Sequence, residues 1–457
     1  MVFNSTAFLI FLSVFFVFYA ICPTRYRYLL LLLGSAVFCA LDGLGGLIAA
    51  LGFACANYLL GALVQTDRRR QSRLWLTVGI VLDAGLLLLM KILAKTGVIA
   101  SAPTGLSYYT FAGIAYLTDI YRGTVCCETN LLKYFSYSLL FPKYVQGPIV
   151  RYGDIAQDIT APKTTARRLQ EGLELFILGF CMKVLIADRL GVLWDQNIYN
   201  SIPQIGVANI STKLAWMGAY AYSIQLYVDW QGYMLMAIGV GKMLGIDLPP
   251  NFDFPYLAKS VGTFFRRWHI TLTAWFKDYV YIPLGGNRRG TGRTVFNILF
   301  IWLLTALWHG LSWNFVLWGL SVGLLIVLEK LLWGKALEKL HILPHLYVLF
   351  VIPLTWVCFN GAVGKDLGAY FLRLFPFLTD KVPLIPAAAM QEVFLTNLTR
   401  YLPYLIAGTL FCTPLPEKFV KRFSGSVLLS VLLTVLFWIA VYTCIANGAS
   451  RSMYANF

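Results

Sequence analysis

Long apolar runs separated by short clusters of basic residues constrain the fold of this 457-residue chain more than any other feature. A hydrocarbon core is crossed by about 20 apolar residues in a helix, which satisfies its own backbone polar groups. The pattern predicts an all-α, polytopic integral membrane protein with roughly 10–12 transmembrane helices and some re-entrant segments. The apolar runs span residues 8–22, 28–40, 44–64, 74–96, 107–120, 132–150, 172–190, 212–244, 295–328, 346–363, 402–412 and 425–446.

Composition and charge support a membrane protein. Apolar residues make up 59% of the chain and charged residues 13%, whereas soluble domains carry about 25% charged residues. The net charge of +16 is concentrated in short clusters between apolar runs, as in cytoplasmic loops that face anionic lipid. Alternating the first helices across the bilayer then places the N-terminus outside. No soluble basic domain is present that would indicate nucleic-acid binding. The clusters lie at residues 25–27, 68–73, 288–293 and 418–422.

His309 is the strongest candidate catalytic residue. It lies in the apolar run that ends Leu307–Trp308–His309–Gly310, and a titratable group in such a run is costly unless it faces a cavity. An apolar environment favours neutral imidazole, which can accept a proton from a hydroxyl and later return it. If the helix continues, Trp313 at position i+4 shares its face. A structural histidine and a proton-pathway histidine are the alternatives.

His269 lies in a polar and aromatic stretch, residues 251–293, that we expect at the membrane interface or lining a polar cavity. If the local chain is helical, Arg266 and Thr273 share its face. Arginine recognises phosphate in a bidentate manner, so this stretch could bind an anionic donor. The alternative is an interfacial helix whose arginines reach the headgroups. Candidate substrate-binding residues in and beyond this stretch are Arg266, Arg267, Trp268, Asp278, Trp313 and Asn314.

Several segments together resemble the membrane-bound O-acyltransferase family, in particular its alginate O-acetylase branch. The most specific are RRWHITLTAWFKDYVYIPLGGNR (266–288) and LWHGLSWNFVLWGL (307–320). Weaker similarity continues through TWVCFN (355–360) and CTPLPEKF (412–419). Further segments are PTGLSYYTFAGIAYLTDIYRG (103–123), FPKYVQGPIVRYGDI (141–155), FILGFCMKVLIADRL (176–190) and residues 222–260.

The resemblance implies a ring of helices around a central tunnel, with a single membrane domain over 1–457 in a bacterial plasma membrane. Within it, residues 103–330 form the catalytic core and residues 346–457 the C-terminal transmembrane helices. His309 corresponds to the catalytic histidine and His269 to a second active-site position. Asn314 and His269 are candidates for holding the donor carbonyl or an oxyanion.

The implied reaction is transfer of an acyl group, most simply acetyl, from a cytoplasmic thioester such as acetyl-CoA to hydroxyls of an extracytoplasmic polysaccharide. Transfer is direct or passes through an extracytoplasmic partner protein of the SGNH type. No metal or further cofactor is expected.

The sequence departs from the branch in two places. In this chain Leu235 takes the place of the second Asp of the motif D-F-S-G-Y-S-D-M-A, and residues 450–457 replace the usual N-P-F-I-Y-F ending.

Two alternative functions stay open. The first is D-alanyl transfer to teichoic acid from a carrier protein, a sister branch that also lacks the second Asp. The second is a transporter or channel with His309 as a proton relay.

Overall fold

The structure, a computed structural model, describes residues 2–195, 209–360, 366–378 and 385–448. Helices account for the regular structure in these ranges, apart from one isolated β-bridge between Phe252 and Trp268. The predicted all-α fold is therefore confirmed. The helices, numbered in chain order, are α1 (Thr6–Ile21), α2 (Arg27–Ala40), α3 (Leu44–Val64), α4 (Arg69–Lys95), α5 (Leu106–Arg122), α6 (Leu131–Ser138), α7 (Phe141–Tyr144), α8 (Tyr152–Thr160), α9 (Ala166–Cys181), α10 (Asp188–Trp194), α11 (Thr212–Met243), α12 (Val261–Arg267), α13 (Ile270–Phe276), α14 (Thr291–His309), α15 (Trp313–Leu328), α16 (Gly334–Glu338), α17 (Leu343–Phe359), α18 (Leu367–Leu374), α19 (Ala387–Phe411), α20 (Leu415–Phe423) and α21 (Val427–Asn447).

Five helical segments of the described chain are long and apolar enough to cross a membrane. Two shorter apolar helices, α1 and α17, accompany them. Helix α11 has 32 residues but is less apolar, and most of its side chains are buried inside the protein. The expected total of roughly 10–12 crossings therefore includes helices enclosed by other helices. Such helices do not face lipid, so they need not be strongly apolar. The five segments are Leu44–Val64, Arg69–Lys95, Thr291–His309, Trp313–Leu337 and Val427–Asn447.

Two apolar runs are not continuous helices. The run at 132–150 divides into α6, α7 and an irregular stretch. The run at 295–328 breaks at residues 310–312 into α14 and α15. The second break leaves His309 as the last residue of α14, at the start of a turn.

Helices α9 and α11 cross in close contact, which two glycine pairs allow. A Cβ atom on Gly179 would lie 2.3 Å from the carbonyl oxygen of Gly232. The second contact lies seven residues earlier in α9 and seven residues later in α11. There, a Cβ on Gly239 would lie 2.5 Å from the carbonyl oxygen of Gly172. Backbones approach this closely only where both helices lack side chains. The small residues therefore set the position of α11.

A buried charge cluster joins the same helices. Between α9 and α10 the chain forms a π-helical turn, Met182–Ala187. Lys183 in that turn forms an ion pair with Asp229 of α11 at 2.7 Å and contacts Asp188. Asp229, the one acidic residue of the motif that this chain retains, thus has an ion-pair partner in the core.

The polar stretch 251–293 consists of short helices and turns. Helices α12 and α13 have seven residues each and meet at Trp268–His269. A π-helical turn, Lys277–Tyr281, follows α13, and a turn then leads to α14. This arrangement brings His269 toward the end of α14.

Candidate active site

His309 lies at the end of α14, enclosed by aromatic side chains. Its residue exposure is 7%. The ring centroids of Trp308, Phe315, Trp318 and Phe359 lie 4.5, 5.9, 5.2 and 5.0 Å from that of the imidazole. Because the helix ends here, the imidazole sits in a turn between two apolar helices. The packed rings limit its orientations.

His269 adopts an unusual backbone conformation between α12 and α13. Its φ angle of 49° lies in the left-handed region, which is uncommon for residues other than glycine. Its Nδ1 lies 3.1 Å from Oδ1 of Asn251, and the same oxygen accepts hydrogen bonds from the backbone N–H and the hydroxyl of Thr271. Contacts from outside its own helix therefore hold the ring in place.

These bonds identify the tautomer of His269. The backbone N–H of Thr271 donates to this atom of Asn251, which is therefore the amide oxygen. An amide oxygen only accepts hydrogen bonds, so Nδ1 of His269 has to be the donor. Nδ1 therefore carries the hydrogen, and Nε2 presents a lone pair. Nε2 is buried without a hydrogen-bond partner in the described part of the chain. His269 thus keeps a buried acceptor nitrogen that no described residue satisfies.

Two cavities meet at His309. The first, here called the aromatic cavity, has a volume of about 290 Å³. The second, the lysine cavity, has a volume of about 480 Å³. His309 is the residue that lines both of them. The aromatic cavity is lined by Trp230, Gly262, Phe265, Arg266, Trp268, His269, Leu272, Thr273, Phe276, Lys277, Tyr281, Ile298, Ile301, Trp302, Thr305, His309, Trp318, Ile326 and Trp356. The lysine cavity is lined by Leu87, Lys91, Ala94, Lys95, residues 100–107, Val145 and residues 309–312.

Positive charge borders the aromatic cavity through Arg266 and Lys277. The helix that carries Arg266 is held by Glu329, whose carboxylate accepts hydrogen bonds from the N–H groups of Val261 and Gly262 at 2.6 and 3.0 Å. These are the first helical amides of α12, which have no partner within the helix. The cavity thus combines aromatic walls with cations suited to an anionic ligand.

The structure brings together four of the residues predicted from the sequence. His309, His269, Arg266 and Trp268 line the aromatic cavity. The expectation that Arg266 and His269 share one helix face was wrong, because α12 ends at Arg267. The turn between the short helices nevertheless directs both side chains to the same cavity.

The other four predicted residues lie outside both cavities. Arg267 is 3.7 Å from Asp253, and Asp278 forms an ion pair with Arg151 at 2.6 Å. Trp313 and Asn314 begin α15.

The expectation that Trp313 shares a helix face with His309 was wrong, because the helix breaks between them. Trp313 is 80% exposed.

Sequence reasoning missed Lys91, Lys95 and Asn251. The Nζ atom of Lys91 donates to the carbonyl oxygen of Trp308, and that of Lys95 to the carbonyl oxygen of Leu311. A lysine within the apolar run at 74–96 was a visible signal, but its partner was not. Asn251 carried no signal, since its role depends on the fold. No metal-binding group of three or more His, Cys, Asp or Glu residues occurs within the described ranges.

The sequence is similar to those of known proteins. Residues 128–357 match the model of the membrane-bound O-acyltransferase family. A "Probable alginate O-acetylase" of Azotobacter vinelandii is 37% identical over 401 residues, which cover 82% of this chain and 78% of that protein. A peptidoglycan O-acetyltransferase of Helicobacter pylori is 30% identical over 381 residues, covering 73% and 68%. A teichoic acid D-alanyltransferase of Bacillus subtilis is 30% identical over 273 residues, covering 56% and 67%.

Proposed function

Because the chain belongs to the membrane-bound O-acyltransferase family, we propose that it transfers acetyl groups from a cytoplasmic thioester to hydroxyls of an extracytoplasmic polysaccharide. The observation that supports this most is that His309 lines two cavities at once. A donor in one cavity and an acceptor in the other can reach the same imidazole. Neither reactant then has to cross the bilayer.

The chemistry assigned to His309 is general acid–base catalysis. Its unprotonated nitrogen accepts the proton of the attacking hydroxyl, and the oxygen forms a bond to the thioester carbonyl carbon. The carbon–sulfur bond then breaks, and the imidazolium returns the proton to the leaving thiolate. Such catalysis contributes about 10²–10⁴-fold, and placing the reactants supplies much of the remainder. The attacking hydroxyl belongs to the sugar or to a relay residue of an SGNH-type partner protein.

The aromatic cavity suits the thioester donor. Its walls accommodate an apolar arm, and Arg266 and Lys277 are available for phosphate groups such as those of acetyl-CoA. His269 lines the same cavity, and its Nε2 is an acceptor without a partner among the described residues. This lone pair does not fit an oxyanion-holding role for His269, because an oxyanion needs a donor.

The lysine cavity suits the acceptor. In the proposed orientation the basic clusters face the cytoplasm and the N-terminus lies outside the cell membrane. Cys444, near the end of α21, donates to the carbonyl oxygen of Asn4 at 2.9 Å, so both belong to the same side. Four successive crossings from the N-terminus bring Lys95 to that side too. The lysine cavity then opens toward the polysaccharide.

D-alanyl transfer is the second candidate function. Leu235 and the similarity to a teichoic acid D-alanyltransferase favour it. The acetylase relatives match a larger share of the chain, and acetyl transfer is therefore preferred. The transporter alternative does not hold, because the family consists of acyltransferases.

Replacing His309 tests the proposal. His309→Ala should abolish acetyl esters on the extracellular glycan, because no other base among the described residues lines both cavities, while the protein remains in the membrane at the normal level. The exposed His341→Ala is the matched control and should retain wild-type esterification. Mass analysis of the released esters distinguishes acetate from alanine. Normal acetylation by His309→Ala would refute the catalytic assignment, and alanine esters in the wild type would refute the acetyl donor.

A further inference from the structure

Lys91 is a charged residue in one of the most apolar helices of the protein. Helix α4 is a candidate membrane span, and Lys91 lies one turn before its end. A charge within a membrane helix is costly unless it has a polar partner or faces a cavity. Lys91 has both, since it bonds to a backbone carbonyl and lines the lysine cavity. This position needs an explanation beyond membrane insertion.

The contacts of Lys91 and Lys95 lie on either side of His309. Lys91 donates to the carbonyl oxygen of Trp308, the residue before the histidine, and Lys95 donates to that of Leu311, two residues after it. The last carbonyls of a helix lack partners within the helix and carry partial negative charge. Cationic side chains stabilise them.

Helix α4 packs mainly against α3 and α5 rather than against α14. Its lysines therefore attach the end of α14 to a separate group of helices. The turn at residues 309–312 is held from outside its own pair of helices. A change in that attachment would move the imidazole while leaving the lining of the aromatic cavity, the proposed donor site, intact.

We propose that Lys91 is a positioning residue for His309. Its bond to Trp308 fixes the turn that holds the imidazole between the two cavities. The inference rests on the proposed function in one respect, that His309 carries out the chemistry. It adds a residue that is 217 positions distant in sequence from the carbonyl it binds.

The two lysines differ in surroundings. Lys91 is half-buried, whereas Lys95 is exposed. Where Lys95 is removed, water can reach the Leu311 carbonyl and replace the ammonium. Trp308 is a buried residue, whereas Leu311 is half-buried, so we expect the loss of Lys91 to leave the Trp308 carbonyl without a partner. The two substitutions should therefore have unequal effects.

The test compares purified full-length variants in a donor hydrolysis and acetyl-transfer assay with acetyl-CoA as the probe. Lys91→Met should lower kcat by about 10- to 100-fold, because a small displacement of a catalytic group has effects of that size. KM for the donor should not change, since Lys91 lies outside the aromatic cavity. Lys91→Arg should restore most of kcat, and Lys95→Met should lower it less. The exposed Lys339→Met is the inert control.

The outcomes separate this inference from the proposed function. Wild-type kcat in Lys91→Met, with His309→Ala inactive, would overturn the role of Lys91 and leave the function standing. Equal losses in Lys91→Met and Lys95→Met, or no recovery with Arg, would also overturn it. Acetyl transfer by His309→Ala would refute the catalytic role of His309 on which this inference rests, and no acetyl transfer by the wild type would refute the proposed function. Thermal unfolding of Lys91→Met at the wild-type temperature, together with lower kcat, would support positioning over a general loss of stability.

Discussion

Adding one methyl group at Gly179 should destabilise the protein and lower its activity together. The new Cβ would lie 2.3 Å from the carbonyl oxygen of Gly232, whereas such atoms essentially never approach within 3.0 Å. The helices must therefore separate by at least 0.7 Å, the difference between these two distances. The obstructing atoms are the backbone oxygen of Gly232, the backbone nitrogen of Met236 and the Cβ of Leu235, and no side-chain rotation moves any of them.

The energetic effect follows from this geometry. Overpacking a well-packed core costs about 1–3 kcal/mol, and a backbone obstruction belongs at the upper end, about 3 kcal/mol. The same helix α11 carries Trp230, which lines the aromatic cavity. A displaced α11 should therefore also reduce turnover, in line with the sensitivity of catalysis to small misplacements.

Gly85→Ala is the matched control. Gly85 lies within α4, and a Cβ there would meet nothing within 4 Å. Alanine is favoured over glycine inside a helix by about 0.5–1 kcal/mol, so this variant should be as stable as the wild type or more stable. Thermal unfolding of the detergent-purified variants measures both effects. Wild-type stability in Gly179→Ala, or an equal loss in Gly85→Ala, would refute the close-crossing argument.

Three further changes test the site and its supports. Thr305→Trp fills the aromatic cavity and should lower both donor hydrolysis and acetyl transfer. Ser101→Trp fills the lysine cavity and should lower acetyl transfer alone. The reverse pattern would show that the donor and acceptor cavities have been assigned the wrong way round. Glu329→Ala leaves two backbone amides of α12 without their hydrogen-bond partner, which should lower the free energy of unfolding by about 1–3 kcal/mol for each amide. An unchanged unfolding temperature would contradict this. Trp313→Ala should leave activity normal because the side chain lines neither cavity; a loss would assign it a contact outside them.

Much of this protein could be predicted from the sequence, because lipid imposes rules that act locally. Helix length and apolarity have to match the hydrocarbon core, so the all-α membrane fold was evident from the apolar runs. His309 stood out for the same reason, since a titratable side chain in an apolar run is costly unless it faces a cavity. Two short motifs then indicated the acyltransferase family, and the comparisons confirmed it.

Tertiary structure decided how the site is assembled. The break after His309 separates it from Trp313, and Lys91 reaches the Trp308 carbonyl from a helix remote in sequence. Asn251 sets the tautomer of His269 through a bond that no periodicity reveals. Helix periodicity reports which residues share a face over a few turns. Contacts between separate helices depend on how closely their backbones approach, which the glycines of α9 and α11 permit only once those helices are packed together.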